Sequence, residues 1–184
     1  MRERIEDFHS SHPLRIGITK EEVRTKLRID PEVFERIIGE LVASGEYLDN
    51  GLQLMNVHHE IEYSDAQKKS IQKLMTTFEN ADYQPPSVKE CIEIVGEDVY
   101  QSLLEQAEFR QVSQDVVFRE AEYQEIVDGV RRIIHVDGGV TVGQVRDEFN
   151  TSRKYVLAVL EYMDSQGITK RVGDIRKLRS STSS

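Results

Sequence analysis

Two cations stand where a helix is predicted to begin in the last third of the chain. Ser152 is followed by Arg153, Lys154 and Tyr155, and an apolar-periodic helix continues from there. Positive charge at a helix N-terminus opposes the helix dipole, so local stability does not explain these two cations. A polyanion does explain them, because phosphates bind well at a helix N-terminus and cationic side chains extend that reach. The chemistry that this segment predicts is phosphate binding.

A predicted β-hairpin, called the wing below, follows this helix and adds further basic side chains. Its two strands are separated by a Gly173-Asp174 turn. We expect Arg153 and Lys154 to contact phosphates, assisted by Ser152 and by backbone N–H groups. The basic residues of the wing are expected to contact the neighbouring strand of a nucleic acid: they are Lys170, Arg171 and Arg176.

Three more residues are candidates for contact with the same ligand. Gln144 and Arg146 lie on the predicted helix that precedes the turn into Arg153, and they are expected as second contacts. Tyr155 could stack on an extruded base, but a tyrosine within an apolar helix is more often packed in the core.

The charge of the whole chain limits where such binding can occur. The 184 residues carry 24 basic and 33 acidic side chains, a net charge of -9. Residues 1–60 hold 8 basic and 12 acidic residues and residues 61–120 hold 6 and 12, whereas residues 121–184 hold 10 and 9. Because the first two thirds would repel a polyanion, binding must be focused on the last third.

One supersecondary unit recurs three times along the chain. Each copy has a helix, a second helix that Thr19, Ser87 or Thr141 caps, a longer third helix, and two short strands around a turn. A helix–turn–helix followed by a hairpin is a winged helix. The sequence thus predicts a mainly α fold with small β-hairpin wings, built as a tandem array of three winged-helix domains. They span residues 1–60, 61–120 and 121–179, joined near 57–63 and 120–122 and followed by a disordered Ser/Thr tail, 180–184.

Other kinds of chemistry lack their usual residues. The one cysteine, Cys91, lies in a helical apolar pattern and is expected to pack in the core. His58 and His59 are adjacent rather than spaced for a metal, so a linker is the better interpretation and no metal is expected. No nucleotide-binding or hydrolase motif, signal peptide or membrane-length apolar run is found. These observations favour a binding module with no catalysis of its own.

At these residues the chain resembles a known family. The run from Thr151 to Leu178 is similar to the last winged helix of the bacterial selenocysteine-specific translation elongation factors (SelB family). The match is carried by the segments Ser152–Tyr155, Leu160-Glu161, Asp164, Gly167, Thr169, Arg171, Gly173-Asp174 and Arg176. The opening His12-Pro13-Leu14-Arg15, with Gly17 and Lys20-Glu21-Glu22, resembles the second of that family's four winged helices.

The resemblance implies a function that the residues alone do not specify. In that family a GTPase part carries selenocysteinyl-tRNA, and the winged helices tether it to an mRNA hairpin, the selenocysteine insertion sequence, beside a UGA codon. The resemblance implies that this chain is a cytoplasmic, monomeric C-terminal fragment with no enzyme activity or cofactor. GTP and magnesium would belong to the missing N-terminal part, and contact with the ribosome and the tRNA would be made through the full-length protein. No membrane partner is expected.

Two other functions remain open from the residues themselves. A DNA-binding transcription regulator would also use winged helices, although one basic recognition helix among three unequal copies does not form matched half-sites. Many winged helices contact only proteins, but a pure interaction scaffold has no need for a basic helix tip. The acidic first and second copies are expected to act as a spacer, with protein contact or a hinge as alternatives.

Overall fold

The computed structural model describes residues 1–179, so the predicted disordered tail at 180–184 lies outside the described residues. The chain divides into two compact units, the first being Met1–Lys68 and the second beginning at Lys69. Helix–turn–helix units followed by hairpins occur in both, as the repeat predicts. The predicted domain limits near residues 60 and 120 stay predictions.

The first unit is one winged helix in which a three-stranded antiparallel sheet of order β1-β3-β2 packs on three helices. Its core includes Ile5, Phe34 and Leu54, each at most 2% exposed. The elements are α1 (Arg2–Ser11), β1 (Ile18–Thr19), α2 (Lys20–Leu27), α3 (Pro31–Ala43), β2 (Tyr47–Asp49) and β3 (Gln53–Asn56).

Local capping sets the helix starts in this unit. The Thr19 hydroxyl accepts a hydrogen bond from the Glu22 N–H at 3.2 Å, which confirms the predicted cap of α2. Asp30 caps α3 with Pro31 as the first helical residue, where the missing N–H of proline costs nothing. In the turn between β2 and β3 the Asn50 N–H bonds the Gln53 carbonyl, so the central residues of the turn are Gly51 and Leu52.

The second unit holds two further winged helices. Its elements are α4 (Asp65–Glu79, which begins just before the unit boundary), α5 (Val88–Val95), α6 (Glu97–Glu105), β4 (Phe109–Gln111), β5 (Val117–Arg119), α7 (Glu120–Asp137), α8 (Val142–Glu148), α9 (Arg153–Ser165), β6 (Thr169–Val172) and β7 (Ile175–Leu178). β4 pairs with β5 and β6 with β7, both antiparallel. The predicted caps Ser87 and Thr141 open α5 and α8, and each completes a capping box with the residue three positions on.

The predicted linker at residues 120–122 is wrong, because those residues form the first turn of α7. The Glu122 carboxylate accepts from the backbone N–H of Arg119 at 3.3 Å and from its guanidinium at 2.7 Å. Helix α7 therefore follows strand β5 without a break. One hydrophobic cluster runs from Val116 and Phe118 of the second winged helix into Val156 and Leu160 of the third, so the two share a core.

Candidate nucleic-acid interface

Helix α9 turns its apolar stripe inward and its first two cations outward. The predicted stripe is confirmed, with Val159 and Leu160 at most 1% exposed, whereas Arg153 and Lys154 are exposed. The helix enters from a turn in which Asn150 has a left-handed φ of 45°. The Thr151 N–H bonds the Arg146 carbonyl at 3.1 Å, and this ties the turn back to α8.

The N-terminus of α9 has no side-chain cap. Ser152 occupies the capping position, yet its hydroxyl makes no capping hydrogen bond. The first-turn N–H groups therefore keep the partial positive charge that attracts an anion. Beside them, Arg153 makes no side-chain hydrogen bond or ion pair within residues 1–179. An uncapped helix start beside a free guanidinium is suited to a phosphate.

Lys154 is already paired within the protein. Its ammonium lies 2.5 Å from the Asp115 carboxylate in the turn between β4 and β5, and 5.5 Å from the centre of the Tyr155 ring. The hydrogen bond to Asp115 raises the pKa of Lys154. Both partners are about half exposed, with 54% and 55% of their side chains accessible. Lys154 can reach a phosphate only in competition with this carboxylate.

Tyr155 is packed rather than presented to a ligand. Its hydroxyl donates to the Pro85 carbonyl at 3.2 Å, and its ring meets Phe118 edge-on with centroids 6.3 Å apart. The Tyr155 ring is partly buried against the hydrophobic core, and the Lys154 ammonium lies 5.5 Å from its centre. The structure therefore favours the packing interpretation over base stacking.

The two candidates on α8 are engaged with neighbouring side chains. The Gln144 carbonyl accepts from the backbone and hydroxyl of Thr141, and its amide donates to Asp137 at 2.8 Å. Arg146 is exposed, but its guanidinium pairs with the adjacent Asp147 at 2.7 Å. Surface pairs of this kind are weak, so Arg146 can exchange partners more easily than Gln144.

The expectation for Arg176 needs correction, because its side chain faces inward. The residue is 3% exposed, and its Nε donates to Asp164 at 3.0 Å. The other oxygen of Asp164 accepts from the Thr169 hydroxyl at 2.6 Å, and the Arg176 backbone pairs with Val140. A buried guanidinium neutralised by a carboxylate is not available to a phosphate. Arg176 instead fastens the wing to α9.

The outer face of the wing carries a pair of like charges. Strand pairing places Lys170 directly opposite Lys177, and both are exposed. Like charges at opposed positions destabilise a hairpin by up to about 1 kcal/mol, so a polyanion is a better explanation than folding. Sequence reasoning missed Lys177, although a two-residue turn at Gly173-Asp174 already sets this register. Arg171, on the other face, bonds the Gly173 carbonyl at 2.9 Å.

The described part of the chain offers few alternatives to this surface. Within residues 1–179 no group of three or more His, Cys, Asp or Glu side chains is placed to hold a metal. Burial raises the pKa of the Cys91 thiol to about 12, which suits packing and not nucleophilic chemistry. None of the described helices combines the length and the apolar character needed to span a membrane.

Models of known protein families match a segment near each end of the chain. The family model described as "Elongation factor SelB, winged helix" matches residues 132–178, and a second model with the same description matches residues 2–51. Together the two matches cover just over half of the chain.

The chain belongs to the elongation factor SelB family.

Among curated proteins, the selenocysteine-specific elongation factor of Desulfomicrobium baculatum is 26% identical over 181 residues, which cover 94% of this chain and 28% of that protein. That of Haemophilus influenzae is 22% identical over 180 residues, covering 94% and 29%. The chain thus spans less than a third of the length of these SelB-family relatives.

Two solved structures support the winged-helix array. One is the mRNA-binding domain of elongation factor SelB from E. coli in complex with SECIS RNA, with a TM-score of 0.52 and 23% identity over 64% of this chain and all of that chain. The other is the bacterial selenocysteine-specific elongation factor EF-Sec, with a TM-score of 0.52 and 18% identity over 96% of this chain and 28% of that one. At this identity the likeness concerns the fold.

Proposed function

We propose that this chain is the mRNA-hairpin-binding part of a selenocysteine-specific elongation factor. The observation that carries the proposal is Arg153, which has no side-chain partner in the described part of the chain, beside the uncapped start of α9. The relative from E. coli that shares this fold is an mRNA-binding domain solved with SECIS RNA, which supports RNA as the ligand. The exposed Lys170 and Lys177 extend the same basic surface along the wing.

The physics of RNA defines what this surface would recognise. An A-form stem hides its base edges in a deep, narrow groove, so proteins read sequence mainly in loops and bulges whose bases are splayed out. A small basic helix tip fits the phosphates of such a loop. We assign Arg153 and the first-turn N–H groups of α9 to the loop phosphates, and Lys170 and Lys177 to the adjoining backbone.

The rest of the chain would restrict binding to that surface. Residues 1–60 and 61–120 are acidic, with 12 acidic residues in each against 8 and 6 basic ones, so they would repel RNA. We propose that they act as a spacer between the hairpin and the remainder of a longer protein. That remainder would hold the GTPase with its GTP and magnesium, and it would contact the selenocysteinyl-tRNA and the ribosome in the cytoplasm. In this proposal the present chain is monomeric and is not itself an enzyme.

A titration of the full chain tests the proposal. The first ligand is an RNA hairpin of the selenocysteine-insertion type. The second is a perfect RNA duplex in which base pairs replace the loop of that hairpin, and the third is a DNA hairpin of the same sequence. We expect the RNA hairpin to bind at least about tenfold more tightly than the other two, because loop bases and 2′-hydroxyls add to the phosphate contacts. Equal affinity for the DNA hairpin would favour a transcription regulator instead.

A further inference from the structure

A short segment of the second winged helix reaches the turn where α9 begins. We call residues 81–86 the strap; they connect α4 to α5 within the second unit. The Thr151 hydroxyl donates to the Tyr83 carbonyl at 2.5 Å, and the Tyr155 hydroxyl donates to the Pro85 carbonyl at 3.2 Å. Two backbone carbonyls of the strap thus hold the residues on either side of the segment Ser152–Lys154.

The strap is itself fixed to the third winged helix. The Tyr83 hydroxyl donates to the Glu125 carboxylate of α7 at 2.6 Å, and this bond with burial raises the pKa of Tyr83 to about 12. The Tyr83 ring meets Phe149 edge-on with centroids 4.9 Å apart. Phe149 also packs on Gly129, where an added Cβ would lie 2.5 Å from its ring. The carbonyls that receive Thr151 and Tyr155 therefore have defined positions.

The turn before α9 needs support from outside because its own side chains make few hydrogen bonds that would fix its conformation. Asn150 adopts the left-handed conformation without being a glycine, and the Ser152 side chain does not cap the helix. A segment with few internal hydrogen bonds loses conformational entropy when a ligand orders it, and this loss weakens binding. A segment that is already ordered before binding loses less. The bond from Thr151 to the strap removes that cost before RNA arrives.

We propose that Tyr83 and Pro85 act, through Thr151 and Tyr155, as positioning residues for the RNA-binding turn. The second winged helix is then part of the binding site and not only a spacer. This inference rests on the proposed function, since it concerns the same turn. It assigns no RNA contact to the strap itself.

The experiment compares three variants of the full chain with the wild type, using the RNA hairpin of the previous section. Thr151→Val removes the hydroxyl but keeps the shape, whereas Thr151→Ser keeps the hydroxyl. Ser165→Ala is the matched control, because the Ser165 hydroxyl donates to the Tyr162 carbonyl at 2.7 Å within the same helix, at its far end. We expect Thr151→Val to bind roughly three- to tenfold more weakly, and the other two within about twofold of wild type.

Two further readouts separate positioning from a loss of folding or of a direct contact. The salt dependence of affinity should not change in Thr151→Val, because no phosphate contact is lost. Amide hydrogen exchange should become faster at Thr151 and Val156 in the free variant, because their N–H groups bond the Arg146 and Ser152 carbonyls across the turn, while its melting temperature stays close to that of wild type. Tyr155→Phe should reproduce both results, and it retains the ring that packs on Phe118.

The outcomes distinguish this inference from the function on which it rests. If the wild type does not bind the hairpin, the proposed function fails. If the wild type binds and Thr151→Val and Tyr155→Phe bind equally well, the strap does not position the turn. A weaker Thr151→Val with a shallower salt dependence, or one that Thr151→Ser fails to restore, would also overturn the inference.

Discussion

Arg153 and Lys154 are neighbours on the first turn of α9, yet among the described residues 1–179 only Lys154 has a partner, Asp115. We expect Arg153→Met to weaken hairpin binding by about 1–3 kcal/mol, because charge-assisted bonds to phosphate are lost. The double variant Lys154→Met/Asp115→Asn removes a pair that is already neutralised. Its affinity should change by less than about threefold, since the net charge facing the RNA is unchanged.

Fluorescence titrations of both variants check this contrast, and circular dichroism should show unchanged helix content. The melting temperature of Arg153→Met should hold or rise, because a cation is removed from the positive end of the α9 dipole. A double variant that loses as much affinity as Arg153→Met would mean that Lys154 leaves Asp115 when RNA binds. If Arg153→Met binds the hairpin as tightly as wild type, Arg153 is an ordinary solvent-exposed residue and not a phosphate contact.

His9 makes the first unit sensitive to acid. Its ring is 7% exposed and stacks on His59 with centroids 3.8 Å apart. Burial, with the nearby His59, lowers the pKa of His9 to about 4. In the unfolded chain the pKa is about 6.5, so the stability from the neutral ring is complete above that pH and is lost as the pH falls toward 4.

We expect His9→Phe to reduce the loss of unfolding free energy between pH 7 and pH 4 by about 3 kcal/mol, or somewhat less if the site relaxes. Urea denaturation at the two pH values measures it. His135→Asn is the control, because His135 is exposed on α7. The assignment is wrong if His9→Phe and wild type lose the same stability on acidification.

At the scale of elements, the wing depends on one buried ion pair. Arg176 and Asp164 connect β7 to α9, and the Thr169 hydroxyl completes the hydrogen bonding of the carboxylate. We expect Arg176→Ala to destabilise the chain by about 2–4 kcal/mol, since Asp164 would keep a largely buried charge without its partner. Thermal unfolding measures the loss. Weaker RNA binding with no loss of stability would restore Arg176 as a direct contact.

Local rules explain why the elements could be predicted. Thr19, Ser87 and Thr141 act on N–H groups three residues away, and the stripe of α9 follows the helical period, so neighbours in sequence contain the information. The predicted Gly173-Asp174 turn between β6 and β7 is confirmed for the same reason. The linker at 120–122 failed because a helix can begin directly after a strand when Glu122 caps it.

The site was less predictable because charge pairing is not local. Lys154 meets Asp115 across 39 residues of sequence, and Tyr155 reaches Pro85 across 70. Nothing in the local pattern separates the buried Arg176 from the exposed Lys177 beside it. Residue type indicates a basic surface, and that surface stays a prediction, whereas the folded contacts decide which of its cations are paired with a carboxylate.

At the scale of the whole molecule, a chain of net charge -9 carries a small basic surface. The exposed cations of the third winged helix can neutralise about three to five phosphates, so the logarithm of affinity should fall with the logarithm of salt at a slope of roughly -2 to -5. A protein basic over its whole surface would show a steeper slope. The remaining affinity has to come from loop bases and 2′-hydroxyls.

The wing lysines give this slope a direct test. Lys170→Gln/Lys177→Gln removes the two phosphate contacts proposed for the wing, so the slope should become shallower by about 1.4 to 1.8. Preference for the hairpin over the duplex should persist, because the wing is proposed to contact backbone and not bases. Stability should hold or rise as the repulsion between the opposed lysines disappears.

The control is Lys69→Gln/Lys73→Gln, an equal charge change at exposed positions of α4. If both double variants flatten the slope equally, the effect reflects net charge alone; if only the wing variant does, RNA backbone lies along the wing.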